Sequence, residues 1–318
     1  MREESSLTPE EVASILKIAK NTVYELIKRG DLAAYRIGRK YRVDIRDVET
    51  YKNQGKKMER PYSNTLQLNE SHPLQMKAQI TPCSQGVVIC GQDILLDILA
   101  LHIEQHPHGT RTFRSYIGSF DGLSAVYQGK AHMTAIHLWD EDTGTYNIPY
   151  VRRLLPGIPM IIIHLACRMQ GFYVAKENPK KIMDWNDLTQ PGLRFINREK
   201  GSGTRVLLDE RLHKLGVDRR LISGYEREEF SHLAVASTVG RGEADVALGN
   251  QKASFQVRNI DFVPLQKERY ELAIKKEYLE KPLFQAVLEI LQSSEFKTEI
   301  GGLGDYDLTE TGRIIAET

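Results

Sequence analysis

Three short stretches place glycine and hydroxyl residues where an apolar run passes into a helical pattern: Gly91-Gln-Asp93, Gly118-Ser-Phe-Asp-Gly122 and Gly201-Ser-Gly-Thr204, the last followed by Arg205. Glycine lets the backbone approach a ligand closely, and the first turn of a helix leaves N–H groups without intrahelical acceptors. Together they make an anion cradle. One exposed helix terminus contributes about 0.3–1 kcal/mol to holding an anion, up to ~2 when partly buried. Micromolar binding requires roughly 8 kcal/mol. One loop is therefore insufficient, and the expected site joins these loops with Gly91, Gln92, Ser119, Gly201, Ser202, Gly203, Thr204 and Arg205. Taken alone, Gly201-Ser-Gly-Thr204 reads equally well as a silent strand–helix turn. It is not a Walker A loop, because no Gly-Lys-Ser/Thr follows, and it lacks the third glycine and the acidic ribose anchor of a dinucleotide fingerprint.

Other reactive residues form no catalytic set. His102 and His106 lie at i and i+4 with His108 nearby, but Glu104 stands in neither zincin position, so no metal site is expected. His137 ends a strand on the side where a ligand belongs, and a histidine bonded to backbone reads equally well there. His232 reads as structural. No Ser–His–Asp order, Cys–His pair or carboxylate pair with a nucleophile stands out, so no enzyme and no cofactor are expected.

The elements that position the glycine turns alternate between strand and helix. Strands are predicted at 87–90, 112–117, 133–137, 172–175, 194–197, 244–248 and 262–265. Helices are predicted at 93–106, 122–128, about 149–155, 204–215, 230–240 and 282–292, with Ile94, Leu95, Ile98 and Leu101 facing the core on the first. Such alternation predicts an α/β body with open, largely parallel sheets, whose ligands sit at the C-terminal ends of strands. Roughly 230 residues suit two lobes: lobe 1 from about 86–166 and 262–318, lobe 2 from about 167–261.

The first fifty residues differ in kind. Thr8, Pro9, Glu10 and Glu11 form a helix start, with Val12, Ile15 and Leu16 on one apolar face. A second helix begins at Asn21, carries Val23, Leu26 and Ile27 inward, and stops at Gly30. Lys20, Asn21, Thr22, Tyr24, Glu25 and Lys28 remain for its other side. A hairpin around Gly38 carries Arg36, Arg39, Lys40 and Arg42, with no acid before Asp44. Two helices and a basic wing suit a major groove and its phosphates. Residues 1–60 hold 14 Lys/Arg and 10 Asp/Glu, while the rest of the chain is net acidic, so the head is the part expected to meet a polyanion.

Across all 318 residues, 41% are hydrophobic and 27% charged, which predicts folded domains with sizeable cores. The start lacks the apolar segment of a secretion signal, and the most apolar stretch, 158–167, is too short for a membrane span. Cys83, Cys90 and Cys167 are too few and too scattered for a disulfide framework or a zinc set. A soluble cytoplasmic protein is expected. Residues 52–85 are polar, with no sustained period, and read as a linker with an edge strand near 74–80.

Residues Leu7 to Leu16, Thr22 to Leu32 and Arg36 to Val43 resemble the excisionase/MerR-like winged helix-turn-helix domains. The resemblance implies that residues 1–51 bind double-stranded DNA, with Lys20, Asn21, Thr22 and Tyr24 at the groove and Arg39 and Lys40 on the wing. One such head covers little DNA, so a homodimer or higher homo-oligomer is expected.

Residues 86–312 resemble the periplasmic-binding-protein type of domain, in the branch also fused to molybdopterin-biosynthesis proteins and regulators. The matching pieces include Ile136-His-Leu-Trp-Asp140, Arg168-Met-Gln-Gly171, Asn197-Arg-Glu-Lys-Gly-Ser-Gly-Thr-Arg205, Gly242-Glu-Ala-Asp-Val-Ala-Leu-Gly249 and Asp261-Phe-Val-Pro-Leu265. The resemblance implies a type II, two-lobed fold over 86–318 that closes on a small anion, with molybdate or tungstate leading. Asp121 departs from the small uncharged residue expected there. It reads as an N-cap turned onto backbone N–H groups; otherwise the ligand carries a donor or a positive group. The whole chain reads as a one-component transcription regulator. The alternatives are an enzyme or carrier of molybdenum-cofactor metabolism, or a sensor of an organic acid or nucleotide-like metabolite.

Overall fold

A computed structural model of the chain describes residues 6–29, 31–38, 40–45, 47–48, 51 and 86–318. Gly30, Arg39 and the linker 52–85, with its expected strand near 74–80 and Cys83, lie outside the described residues. Contacts divide the chain into two compact units, Met1–Gln75 and Met76–Thr318.

The first unit is built from β1 (Ser6–Leu7), α1 (Pro9–Leu16), α2 (Lys20–Arg29), β2 (Tyr35–Ile37) and β3 (Lys40–Asp44). Thr8 caps α1 through a capping box: its Oγ1 accepts the Glu11 N–H while the Glu11 carboxylate accepts the Thr8 N–H at 2.6 Å. Lys17 ends the helix in the left-handed region at φ 54°. Val12, Ala13, Val23, Leu26, Leu32, Val43 and Val48 form the core, with Leu16 and Ile27 packed against it. Ile15, expected on that core, is 40% exposed, and Ala13 takes its place because α1 turns its Val12–Ala13–Leu16 side inward.

In the second unit the chain order is β4 (Val87–Cys90), α3 (Leu95–Gln105), β5 (Thr112–Ser115), α4 (Ser119–Tyr127), β6 (Met133–Ile136), β7 (Trp139–Asp140), β8 (Thr145–Tyr146), α5 (Ile148–Leu154) and β9 (Met160–Ala175). Then follow β10 (Phe195–Arg198), α6 (Gly203–Leu215), β11 (Glu228–Glu229), α7 (His232–Gly240), β12 (Val246–Asn250), α8 (Gln251–Ser254), β13 (Ile260–Lys275), α9 (Pro282–Gln292), α10 (Ser294–Gly302) and β14 (Ile314–Glu317). One sheet runs β11-β10-β12-β9-β13-β6-β4-β5, with β14 also on β9.

The sheet is mixed rather than largely parallel. Its two wings are parallel (β4 with β5 and β6; β10 with β11 and β12), but β9 and β13 pair antiparallel along nearly their whole length. These two strands pass through both lobes. The early part of β9 joins β14 and the late part of β13 joins β6, while the late part of β9 joins β12. Each is 16 residues long, where sequence pattern marked only 172–175 and 262–265. Polar residues in mid-strand, Arg168 and Gln170 on β9 and Gln266 to Arg269 on β13, break the apolar pattern. Close pairing requires Gly171, because a Cβ there would overlap the Val263 carbonyl.

One lobe packs α3, α9 and α10 on one face, around Leu95, Leu99, Ile163, Phe284 and Phe296, and α4 and α5 on the other, around Leu123, Val151 and Ile162. Ile94 and Leu101, expected inward on α3, are 47% and 56% exposed; Leu96, Leu99 and Ile103 are buried instead. The second lobe packs α6 over Phe172, Phe195 and Val246, and α7 over Tyr173, Ile196 and Ala247. Among the described residues no helix is long and apolar enough to cross a membrane.

Candidate anion site and nucleic-acid interface

The glycine turns converge. Helix α4 starts after Gly118 and helix α6 starts after Ser202, and the Phe120 N–H donates to the Gly201 carbonyl at 3.0 Å. Ser202 caps α6 by accepting the Arg205 N–H at 3.2 Å, which leaves the N–H groups of Gly203 and Thr204 for a ligand. Gly203 is there because the His137 ring packs on it: a Cβ would stand 2.7 Å from the ring.

Between these helix starts lies a cavity of about 20 Å³. One water needs roughly 10–15 Å³ by the same measure, so the space suits a very small guest. Of the residues expected to hold a ligand, Gly91, Gln92, Ser119, His137, Ser202 and Gly203 line it. Gly201 belongs to the seam beside it. Thr204 and Arg205 are buried but do not line it. Arg205 is turned into its own lobe, where Nη1 donates to the Arg198 carbonyl at 3.1 Å and the guanidinium covers Tyr225 at 4.1 Å.

Sequence reasoning missed the charged floor. Arg168 on β9 pairs with Glu268 on β13 and with Asp93 after β4, and stacks on Tyr270 at 3.9 Å. Asp93 also accepts the Tyr306 hydroxyl at 2.7 Å and the Leu95 N–H at 2.8 Å. His137 Nδ1 meets Glu268 at 2.8 Å. Burial alone would raise the Glu268 carboxyl; Arg168 and His137 outweigh it and hold the group at about 2. A second buried set stands at the end of β10. Arg198 donates through Nε and Nη2 to Glu199 at 2.7 and 2.8 Å, and Gln92 joins both. Arg198 Nη1 and the Tyr270 hydroxyl are buried without a protein partner.

His232, read as structural, also lines the cavity. Its Nδ1 accepts the Asn250 N–H at 3.3 Å, which puts the proton of the neutral ring on Nε2. Burial, with Arg198 and Arg168 nearby, pushes its pKa well below the usual histidine range. The available signal was polar residues inside buried strands: all four positions of β10, Arg198 included, are buried.

Asp121 is not the N-cap of α4; that position is Gly118, which has no side chain to cap with. Asp121 stands in the first turn, exposed, its carboxylate against Gly201 across the seam. Desolvation and the Glu199 charge raise its pKa. It lies outside the cavity lining.

On the head, Lys20, Asn21, Tyr24, Lys28, Arg36 and Lys40 are exposed and Thr22 and Arg42 half-buried. Lys20 forms an ion pair with Glu10. Arg36 lies over Tyr41 at 5.1 Å, and Tyr41 meets Tyr24 edge-on at 6.1 Å, which ties the hairpin to α2. Arg39 falls outside the described residues.

The chain belongs to the PBP superfamily: the model of the PBP superfamily domain matches residues 100–292, and that of a helix-turn-helix domain matches residues 6–56. It is 43% identical over 318 residues to the uncharacterized protein YvgK of Bacillus subtilis (strain 168), covering 100% of both chains. A protein encoded in the 5′ region of a 2Fe-2S ferredoxin gene of Clostridium pasteurianum is 60% identical over 112 residues, 35% of this chain and 99% of that one. Among solved structures, the substrate-binding protein of a phosphate ABC transporter from Clostridium perfringens, with bound phosphate, aligns with a TM-score of 0.52 at 14% identity, covering 70% of this chain and 98% of that one. An ancestral arginine-binding protein aligns with a TM-score of 0.50 at 13% identity, covering 69% and 98%. The fold is thus the two-lobed binding-protein fold, joined to a helix-turn-helix domain of the DNA-binding type.

Proposed function

We propose that this protein is a one-component, cytoplasmic transcription regulator, acting as a homodimer or higher homo-oligomer, whose body closes on a small, fully deprotonated oxyanion, molybdate or tungstate first among them. Arg198 Nη1 carries the reading: a buried charged donor with no protein partner, on a residue that lines the small cavity between two helix starts. An unsatisfied buried donor costs about 1–3 kcal/mol, more when charged, and a ligand oxygen recovers that cost.

The surrounding groups are donors. Ser119, Ser202, Gly203 at the start of α6, Arg198 and His232 line the space and each carries a hydrogen-bond donor, while the oxygens of Asp93 are taken by Arg168, Tyr306 and Leu95. A ligand oxygen that brings a proton finds no free carboxylate to accept it. The two arginines are balanced by Asp93, Glu268 and Glu199, so the anion is held by hydrogen bonds and helix ends rather than by net positive charge. The cavity volume favours an inorganic ion over an amino acid or a pterin.

Closure biased by the anion then changes how the heads of an oligomer engage DNA; tenfold in DNA affinity requires only ~1.4 kcal/mol of coupling. The test is operator binding by the full chain with and without molybdate, tungstate, sulfate or phosphate. A several-fold shift with one of the first two supports the reading; no shift with any ion at millimolar concentration contradicts it.

A further inference from the structure

The second lobe carries another cleft, which shares no residue with the anion cavity. It holds about 680 Å³, inside the range of roughly 300–1,000 Å³ that small-molecule sites occupy. Three exposed arginines line it, Arg219 and Arg220 from the turn after α6 and Arg227 from the run into β11. Buried Ile222 and Tyr225 line it with them.

The backbone that carries these side chains is fixed against β10. The Phe195 and Asn197 N–H groups donate to the Ser223 and Arg227 carbonyls at 2.8 and 2.9 Å, and Asn197 Nδ2 donates to the Tyr225 carbonyl at 3.0 Å. Gly224 permits this approach: its φ is +93°, and a Cβ there would stand 2.1 Å from the Phe195 carbonyl oxygen. A ligand therefore meets a loop already held in place, which lowers the cost of binding.

Two of the three guanidiniums carry charge that no ion pair offsets. Arg220 is taken by Asp218, which accepts from its Nε and Nη2 at 2.9 and 2.6 Å. Arg227 donates to the Glu243 carbonyl at 3.4 Å, and Arg219 lies over the Tyr225 ring at 5.7 Å. Among the described residues neither has a carboxylate within ion-pair distance. The carboxylate on the lining, Glu226, meets Lys200 at 3.7 Å.

Guanidinium forks match phosphate oxygens, and a phosphate monoester is close to a dianion at neutral pH. Inorganic phosphate would leave most of the volume empty. A duplex fits less well. The chain beyond residue 60 is net acidic, and a long polyanion meets all of that charge. A small ligand, screened over about 8 Å, meets the cleft alone.

We propose that this cleft binds an organic phosphate, its phosphoryl group held by Arg219 and Arg227 and its body seated beside Ile222 and Tyr225. The site bears on α6. The Tyr225 hydroxyl donates to Asp209 of that helix, and Arg205, in its first turn, covers the Tyr225 ring at 4.1 Å. The proposal does not depend on what the anion cavity holds.

The experiment is calorimetric titration of the full chain with phenyl phosphate, glucose 6-phosphate and adenosine 5′-monophosphate, with adenosine and inorganic phosphate as controls. At least one ester is expected to bind with submillimolar affinity and adenosine not to bind. Arg219→Gln/Arg227→Gln should weaken that ester about tenfold or more, with an unfolding temperature near the parent's because both side chains are exposed. Each single variant should lose part of the affinity, and the singles serve if the double variant does not fold. No binding by any ester, or an ester bound equally by the variants, overturns the proposal. So does inorganic phosphate that binds as tightly as the esters and is lost in the same variants. Duplex DNA binding that falls in the double variant, with no ester bound, makes the cleft a DNA contact and overturns it too.

Discussion

The Phe120 N–H and the Gly201 carbonyl are hydrogen-bonded at 3.0 Å across the seam between the lobes. The two helix starts that face the cavity are thereby locked to each other by backbone alone. Gly118 sits so close that a Cβ on it would reach the Gly201 oxygen at 2.5 Å. Closure thus depends on missing side chains as much as on the groups present.

Gly203→Ala tests this. The added methyl meets the His137 ring at 2.7 Å, and α6 must back away for it to fit. Its φ is not in the left-handed region, so the backbone itself tolerates alanine. Unfolding temperature without ligand is expected to change little, while anion affinity falls at least tenfold, about 1.4 kcal/mol. Calorimetry on the variant checks both.

Asp121 opposes closure. Its pKa is raised by desolvation and by Glu199, so the neutral form is favoured when the seam is shut. The stabilisation available from a protonated Asp121 is complete below its unfolded value and is lost as pH rises through the folded one. At neutral pH, Asp121→Asn is expected to tighten anion binding by about twofold, a small effect because the side chain is exposed and screened. The difference between variant and parent should shrink as pH is lowered, which a binding titration at two pH values measures.

Glu268 behaves oppositely. With its carboxyl held at about 2 by Arg168 and His137, its contribution is fully present above the unfolded value of about 4.3 and disappears as pH falls toward 2. Acid unfolding of the body should therefore steepen in that interval. Glu268→Gln leaves Arg168 with Asp93 alone; it is expected to lower stability at neutral pH by roughly 3–5 kcal/mol, as when one partner of a buried pair is removed, and to flatten the acid limb of a denaturation series.

The head gives a separate prediction. Lys40 is exposed on the hairpin, and if it rests on a phosphate, Lys40→Ala should weaken binding to all duplex sequences alike and reduce the salt slope by about one. Loss of sequence discrimination without a change in slope would instead place it at a base edge.

Much of this was legible in the sequence, because turns announce themselves locally. Thr8, Pro9 and Glu11 specify the first helix start, and the glycine–hydroxyl pairs Gly118-Ser119 and Ser202-Gly203 stand on the cavity lining. The crossing strands were hidden for the same physical reason that they matter. Arg168 and Glu268 stand mid-strand as cross-strand partners in register, and charges there break the apolar pattern by which strands are read. Arg198, beside the glycine turn, was overlooked because an arginine next to a glutamate reads as a solvated pair; only the packing shows both to be buried. Asp121 was assigned to the cap that the bare backbone of Gly118 occupies, since a cap position cannot be told from the next turn to within a few residues by sequence.

The most direct measurement is calorimetric titration of molybdate into the full chain and into Arg198→Lys, which keeps the charge but removes the fork carrying Nη1. The account predicts micromolar or tighter binding to the parent, with sulfate and phosphate weaker, and a loss of tenfold or more in the variant. Equal affinity in the two chains, or no heat with molybdate or tungstate at millimolar concentration, would contradict it.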